Sequence, residues 1–291
     1  MNVAFVGVGA MGAPMAACIA RAGHTVIVHD SAHERASNVA AQHGCQLADG
    51  IEDLLLADFV VTMLPTGQIV RDLYLVEGLA KKLRRGAVAI DMSSSSPTGT
   101  RELGAALAAC GIALLDAPVS GGVPRAAQGT LTIMIGGDDE GAIERARPLL
   151  RTMGNRLFDT GGLGSGHAMK ALNNFVAAAT FAACAEALLA GQRFGLDAGR
   201  MVEILNVSTG RNFHTDLVLQ EHVIGGRFAS GFQLGLLAKD LKIAAGLAHS
   251  VGLDAPLVNL VSARFDAACD ALGYTRDHTE AIKAWDVNAV A

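Results

Sequence analysis

Along the chain, apolar and polar positions follow two different regimes. From the start to about residue 160, short apolar runs alternate with stretches of helical period. Apolar runs at residues 2–7, 24–30, 59–65, 86–92, 112–117 and 129–137 predict strands, and a last short one is expected at 155–159. They are nearly continuous rather than alternating, as strands of a parallel sheet covered on both faces are. Helices are expected between them, one from Pro14 to Ala22 and one capped by Asp138 and Asp139 that runs to about Met153. Past Gly161 the strand pattern stops. Helical periodicity takes over at residues 167–193, 197–207, 213–223, 232–250, 256–272 and 276–285. Strand–helix alternation followed by helices alone predicts an α/β doubly wound sheet domain at 1–163 and an all-α domain at 164–291. The helix that begins near His167 joins them, and at 1.5 Å per residue it would span roughly 40 Å.

Composition narrows the class. Hydrophobic residues make up 51% of the 291 positions and charged ones 18%, ample material for more than one core. Aromatics are only 4%, and abundant small residues suit closely packed helices. The net charge of −5 comes without a basic run. Lys81-Lys82 with Arg84-Arg85 reads as the end of a solvated helix, so nucleic acid is not expected as a partner. The five cysteines are scattered and lack C-x-x-C spacing; they read as small core residues of a reducing compartment, with no metal site. The chain enters a strand at once, without a targeting pattern. The apolar run from Phe175 to Ala190 carries Glu186 and is mostly alanine, which favours a buried helix over a membrane span. A cytoplasmic protein with no membrane association is expected.

The candidate chemistry starts at the first strand, which opens into Gly7-Val8-Gly9-Ala10-Met11-Gly12, a helix, a second strand and Asp30. G-x-G-x-x-G between a strand and a helix, with an acid at the end of the next strand, is the dinucleotide-binding fingerprint of a Rossmann-type domain. Gly7 allows the tight turn, Gly9 lets a pyrophosphate approach the backbone, and Gly12 lets the helix pack on the strand. With Ala10 and Met11 they bring the N–H groups of the helix start toward the phosphates. Asp30 suits a ribose hydroxyl and repels a 2′-phosphate, while Ser31 offers no cation for one. NAD is therefore favoured over NADP, a preference that Arg35 softens.

Further stretches invite a ligand. Leu64-Pro65 lies at the carboxyl edge of its strand, where doubly wound sheets bind their ligands. In Ser93-Ser94-Ser95-Ser96-Pro97, Ser96 and Pro97 read as a helix cap and first helical residue, with another serine turned to the cofactor. Ser120-Gly121-Gly122 after a strand is either an ordinary turn or a run of N–H groups forming a concave anion site. Lys170 and Asn174, four residues apart, share one face of the long helix. Either Lys170 snorkels to solvent beside a chance amide, or the two serve a reaction. Lys239-Asp240 is a helix-surface pair, or a second cation at the cleft between domains with a carboxylate to orient it.

Taken in order, these motifs resemble the β-hydroxyacid dehydrogenase family, which includes the 3-hydroxyisobutyrate dehydrogenases and tartronate semialdehyde reductases. The resemblance covers essentially the whole chain. It rests on residues 7–12, Asp116-Ala117-Pro118-Val119-Ser120-Gly121-Gly122, Gly129-Thr130-Leu131-Thr132-Ile133-Met134, Gly164 through Asn174, and Lys239-Asp240. It implies Lys170 as the catalytic acid–base group, Asn174 as an amide that helps hold substrate, and Ser120, Gly121 and Gly122 as the substrate carboxylate site. It further implies Leu64, Pro65 and Ser94 as cofactor contacts, and Lys239 as a lysine near cofactor and substrate. The implied activity is NAD(P)-dependent oxidation of the hydroxyl of a small 3-hydroxy acid, or reduction of the matching semialdehyde. A homodimer or homotetramer is expected, the Ala-rich helix suggesting an interface.

Two departures bear on substrate. Many relatives carry glycine where this chain has Arg125. A cation there favours a more polar or doubly anionic substrate such as tartronate semialdehyde, threonate or a sulfolactaldehyde, unless its side chain points outward. The tryptophan often found near Phe213 in relatives is missing. A lysine at its ordinary pKa of roughly 10.4 is a poor base near neutrality, and partial burial or a neighbouring cation such as Lys239 would lower it. Two related enzyme types fit less well. Enzymes of the 6-phosphogluconate type carry a histidine after the catalytic lysine region, absent from Lys170-Ala171-Leu172-Asn173-Asn174, and imine reductases usually lack the lysine. A non-catalytic NAD-binding protein would have no need of Lys170 with Asn174.

Overall fold

A computed structural model describes residues 1–286, and the chain divides into two compact units, the first ending at Lys170 and the second beginning at Ala171. The first unit is built on nine strands: β1 (Asn2–Val6), β2 (Thr25–His29), β3 (Gln46–Leu47), β4 (Phe59–Thr62), β5 (Val88–Asp91), β6 (Ala113–Asp116), β7 (Val119–Ser120), β8 (Leu131–Gly136) and β9 (Gly154–Gly161). They form one sheet in the order β3-β2-β1-β4-β5-β6-β8-β7, with β9 paired to β8. The first six in that order run parallel, and β8 runs antiparallel to β6 and β7. The order grows outward from β1 in both directions. The crevice beyond the carboxyl ends of β1 and β4 is therefore the switch point where such sheets bind ligands.

Between the strands run α1 (Gly12–Arg21), α2 (His33–His43), α3 (Gly67–Leu75), α4 (Leu79–Lys82), α5 (Pro97–Ala109), α6 (Gly122–Gln128) and α7 (Glu140–Met153). β4 and β5 are buried at every position, which explains their unbroken apolar runs. Successive side chains of a strand face opposite sides. Thus Phe5, Val61 and Ile90 pack with Met15, Ile19 and Leu149 on one face, while Ala4, Val60 and Ala89 pack with Val70, Tyr74 and Leu107 on the other. Asp139 caps α7 as expected, accepting from Ala142 N at 2.9 Å. Two expectations need correction. The segment after Pro118 is not a plain turn, because Val119–Ser120 pairs with β8 and the chain then enters α6. Ser96 stands at the N-cap of α5 without capping it; its hydroxyl lies 2.9 Å from Thr98 Oγ1 instead.

α8 (Ser165–Phe194) begins in the first unit and continues into the second; its 30 residues span roughly 45 Å. The second unit adds α9 (Ala198–Asn206), α10 (Phe213–Leu217), α11 (Leu234–Ser250), α12 (Pro256–Leu272) and α13 (Ala281–Trp285). The single helix expected at 213–223 is α10 followed by a π-helical turn, Leu219–Ile224. α8 is long and apolar enough to cross a membrane by length and composition, and 44% of its most apolar stretch is buried. Ala178, Phe181, Ala182, Cys184, Ala185 and Leu188 enter one core with Leu237, Leu241, Val261 and Phe265.

That core holds two buried histidines against Phe181, whose ring centroid lies 5.4 Å from both His214 and His278. Burial pushes His278 down to about 4, despite Asp277 beside it, and also lowers His214. The nearby titratable groups are Asp277, His214 and His222. Both histidines are thus neutral in the fold, and the unfolded chain binds protons first as pH drops. The stability His278 confers is complete above the unfolded histidine value near 6.5 and is lost between there and about 4, and His214 acts in the same direction. For His278 alone the loss approaches about 3 kcal/mol. Urea midpoints followed by circular dichroism between neutrality and pH 4 are expected to fall in wild type, and to fall much less in His278→Gln. Asp277, held below its ordinary value by Thr279 and Ser230 against the opposing cost of burial, acts only at lower pH.

Candidate active site

The turn after β1 is shaped by its glycines. Gly7 has a φ of 93°, and a side chain on it would strike the Met63 carbonyl; one on Gly12 would strike the Gly7 carbonyl. Over Gly9 there is open space, with nothing within 4 Å of where a Cβ would stand. Ala10 and Met11 lead into α1, whose start has no side-chain cap. Asp30, 8% exposed at the end of β2, accepts from Val8 N at 3.0 Å, so the acid holds the turn in place. An uncapped helix start, an open approach over Gly9 and an acid at the next strand end fit the pyrophosphate and ribose of a dinucleotide.

Beside this cradle the carboxyl ends of β4 and β5 are tied together by Asp91, a buried carboxylate. It accepts from Thr62 Oγ1 (3.0 Å), Ser93 N (3.0 Å) and Ser95 Oγ (2.7 Å). Ser93 Oγ in turn accepts from Leu64 N at 2.9 Å. The serine run thus sends Ser93 and Ser95 inward to brace the loop, leaving Ser94 half-buried and Pro65 exposed along the strand edge.

Asp116 pairs in register with Asp91 at the end of β6 and plays a second bracing role. Its Oδ1 accepts from Gly164 N at 2.7 Å and its Oδ2 from His167 N at 2.8 Å, so it caps α8 from the strand that leads to Ser120. The His167 ring is fully buried under this cap, with Nδ1 2.8 Å from Thr100 Oγ1 and Nε2 3.7 Å from Asp91 Oδ2. Lys170, half-buried, follows in the second turn of the helix. On the other side of Asp116, Gly121 takes a φ of 137° and Gly122 one of 68°. A side chain on Gly121 would meet the stem of Arg125, its Cβ only 2.7 Å from Arg125 Cδ. Arg125 therefore lies over the Ser120–Gly122 loop, although it is exposed.

In the second unit, Asn174 is 6% exposed and its Nδ2 donates to Asp240 Oδ2 at 2.6 Å. Lys239 Nζ lies 3.0 Å from Asp240 Oδ1. A carboxylate only accepts, so Asp240 fixes which end of the Asn174 amide faces it. Asn173 Nδ2 donates to Asn174 Oδ1 at 3.2 Å. Phe213 is 63% exposed at the start of α10. The residues that sequence reasoning passed over are the braces Asp91, Ser93, Asp116 and His167. For Asp91 and Asp116 the one available signal was an acid closing an apolar run, and nothing local marked Ser93 or His167 as braces.

Comparison with known proteins shows the family. Residues 2–162 match the family model of the NAD-binding domain of 6-phosphogluconate dehydrogenase. Residues 164–285 match that of the NAD-binding domain of NADP-dependent 3-hydroxyisobutyrate dehydrogenase. The chain is 39% identical to a 3-hydroxyisobutyrate dehydrogenase of Pseudomonas aeruginosa over 88% of each chain. It is 34% identical to the 2-(hydroxymethyl)glutarate dehydrogenase of Eubacterium barkeri, over 98% of this chain and 95% of that one. The structure of Mycobacterium tuberculosis 3-hydroxyisobutyrate dehydrogenase with L-serine superposes with a TM-score of 0.89 at 35% identity, covering 98% and 99% of the two chains. The chain belongs to the β-hydroxyacid dehydrogenases, oxidoreductases that work with NAD or NADP.

Proposed function

We propose that this enzyme oxidises the hydroxyl of a small 3-hydroxy acid, or reduces the matching semialdehyde, with Lys170 as the acid–base group. The observation that carries the reading is the position of Asp116. Its carboxylate, at the end of the strand four residues before Ser120, caps the helix that bears Lys170, which supports reading the Ser120–Gly122 loop and Lys170 together. The bound nicotinamide supplies the hydride acceptor for oxidation and the donor for reduction. Backbone N–H groups of Ser120, Gly121 and Gly122 hold the substrate carboxylate. Lys170 Nζ takes the hydroxyl proton in oxidation and returns one to the carbonyl oxygen in reduction. Asn174, one helical turn on and oriented by Asp240, donates to the substrate, and Lys239 offsets the Asp240 charge. The five cysteines are all free, which supports a cytoplasmic home, and the exposed Met169, Leu172 and Val176 along α8 support a homo-oligomer.

A more anionic substrate is the second reading, and the stem of Arg125 over Gly121 favours it. The compound named in the Eubacterium barkeri relative, 2-(hydroxymethyl)glutarate, also carries two carboxylates. Both readings are tested by following NADH formation over 3-hydroxyisobutyrate, L-serine, glycerate, threonate, 2-(hydroxymethyl)glutarate and a sulfonated analogue. Activity on at least one 3-hydroxy acid is expected, and none on any of them would overturn the proposal. If Arg125 contacts substrate, Arg125→Ala raises KM at least about tenfold for the doubly anionic acids only, the loss of one charge-assisted hydrogen bond.

A further inference from the structure

The His167 side chain is fully buried, yet no step of the proposed reaction uses it. It stands in the first turn of α8, three residues before Lys170, so the two are neighbours on the helix surface. Proton counting fixes how the ring is held. The Thr100 hydroxyl has one proton and donates it to Ser96 O at 3.0 Å, so at 2.8 Å it accepts from His167 Nδ1–H. The ring lies between the ends of two strands, with Nε2 3.7 Å from Asp91 Oδ2 and Nδ1 3.9 Å from Asp116 Oδ2. Nε2 makes no hydrogen bond among the described residues. One side chain is thus tied to α5 and faces both carboxylates: Asp91, which braces the serine loop, and Asp116, which caps α8.

The two kinds of anchor constrain different movements. Asp116 accepts from the backbone at Gly164 N and His167 N, which holds the end of the helix close to its axis. The Thr100 bond is made out on a side chain, away from the axis, and therefore opposes rotation of the helix about it. At roughly 6 Å from the axis, the outer radius of an α-helix, a rotation of about 10° carries a group about 1 Å. A displacement of about 1 Å at a reacting group costs on the order of a hundredfold in rate. We propose that His167 is a positioning residue for the reaction: through Thr100 it sets the rotation of the first turns of α8 and so aims Lys170, in one frame with the serine loop that Asp91 braces. This role depends on Lys170 being the acid–base group. A histidine that merely filled the core would change stability alone, and turnover measured well below the melting temperature would be indifferent to it.

Steady-state kinetics of the whole protein tests it, with NAD and whichever of 3-hydroxyisobutyrate, L-serine or 2-(hydroxymethyl)glutarate is turned over fastest, beside a thermal melt of each variant. His167→Leu removes the ring nitrogens at similar bulk, and Thr100→Val removes the acceptor without touching α8. Each is expected to lower kcat at least about tenfold, with KM for the acid and the calorimetric Kd for NAD changed less than about threefold. His167→Asn, whose amide nitrogen stands where Nδ1 does, is expected to regain most of the loss. Both single changes break the same bond, so the double variant is expected to lose no more than either alone. In a Lys170→Ala background, His167→Leu is expected to cost no further activity, as a residue acting through the lysine must. Wild-type kcat in Thr100→Val, or in a His167→Leu protein that melts normally, overturns the proposal, and so does a full additional loss in the Lys170→Ala background. If Lys170→Ala itself keeps near-normal turnover, the acid–base assignment falls first and takes the role of His167 with it.

Discussion

Lys170→Ala lowers turnover at least about a hundredfold in either direction, with KM for the hydroxy acid changed far less. A positioned proton acceptor typically contributes about 10²–10⁴ to rate, and a hundredfold loss corresponds to about 2.7 kcal/mol of barrier. The fold should not suffer. Alanine is the best helix former, and the start of α8 stays capped by Asp116 through Gly164 and His167, neither of which depends on the lysine. Ser120, Gly121 and Gly122, which are proposed to hold the carboxylate, are untouched. Steady-state kinetics over a range of pH, with a thermal melt of the same protein, checks the result. In the variant, the rise of oxidation rate with pH that a lysine base produces should flatten. Near-normal turnover would remove Lys170 from the chemistry.

Gly9→Val is expected to weaken NAD and NADP binding at least about a hundredfold while leaving the melting temperature close to wild type. The contrast with its neighbours makes the case. A side chain at Gly7 or Gly12 would collide with the chain's own backbone, so substitution there damages the turn itself. At Gly9 nothing stands within 4 Å of an added Cβ, so the valine side chain starts into open space and obstructs what approaches from outside. Backbone N–H groups bonded to a charged phosphate contribute roughly 1.5–3 kcal/mol each, and pushing a pyrophosphate away from two of them costs about 3 kcal/mol or more. Calorimetric titration of each cofactor, set beside a melt, separates the outcomes. Normal affinity would mean that the open space over Gly9 is not the phosphate path.

The comparison of sequence with structure turns on what kind of signal each element leaves. Buried parallel strands and long helices write themselves in period and length, so β4, β5, α11 and α12 were legible at nearly their observed limits. The glycine fingerprint was legible because its spacing is dictated by backbone clearance. α6 was not: it opens on two positive-φ glycines and carries Pro124 in its first turn, a composition that local reasoning assigns to a turn. The capping of α8 was also hidden, since its cap comes from Asp116, 48 residues earlier in the chain. No helix-start rule looks that far. The double role of Asp240, holding Asn174 across 66 residues while paired with Lys239, was half visible, as the local pair alone.

The packing around Trp285 has an optical consequence. It is the sole tryptophan, set 5.1 Å from the Phe265 ring with the Arg264 guanidinium 4.9 Å from its own ring, wholly within the helical unit. The first unit contains no indole, and its one tyrosine, Tyr74, is fully buried. Emission excited selectively in the indole band therefore follows the helical unit alone. A fluorescence melt laid over a whole-chain heat-capacity trace would show directly whether the sheet unit and the helical unit lose their structure as one cooperative body or as two.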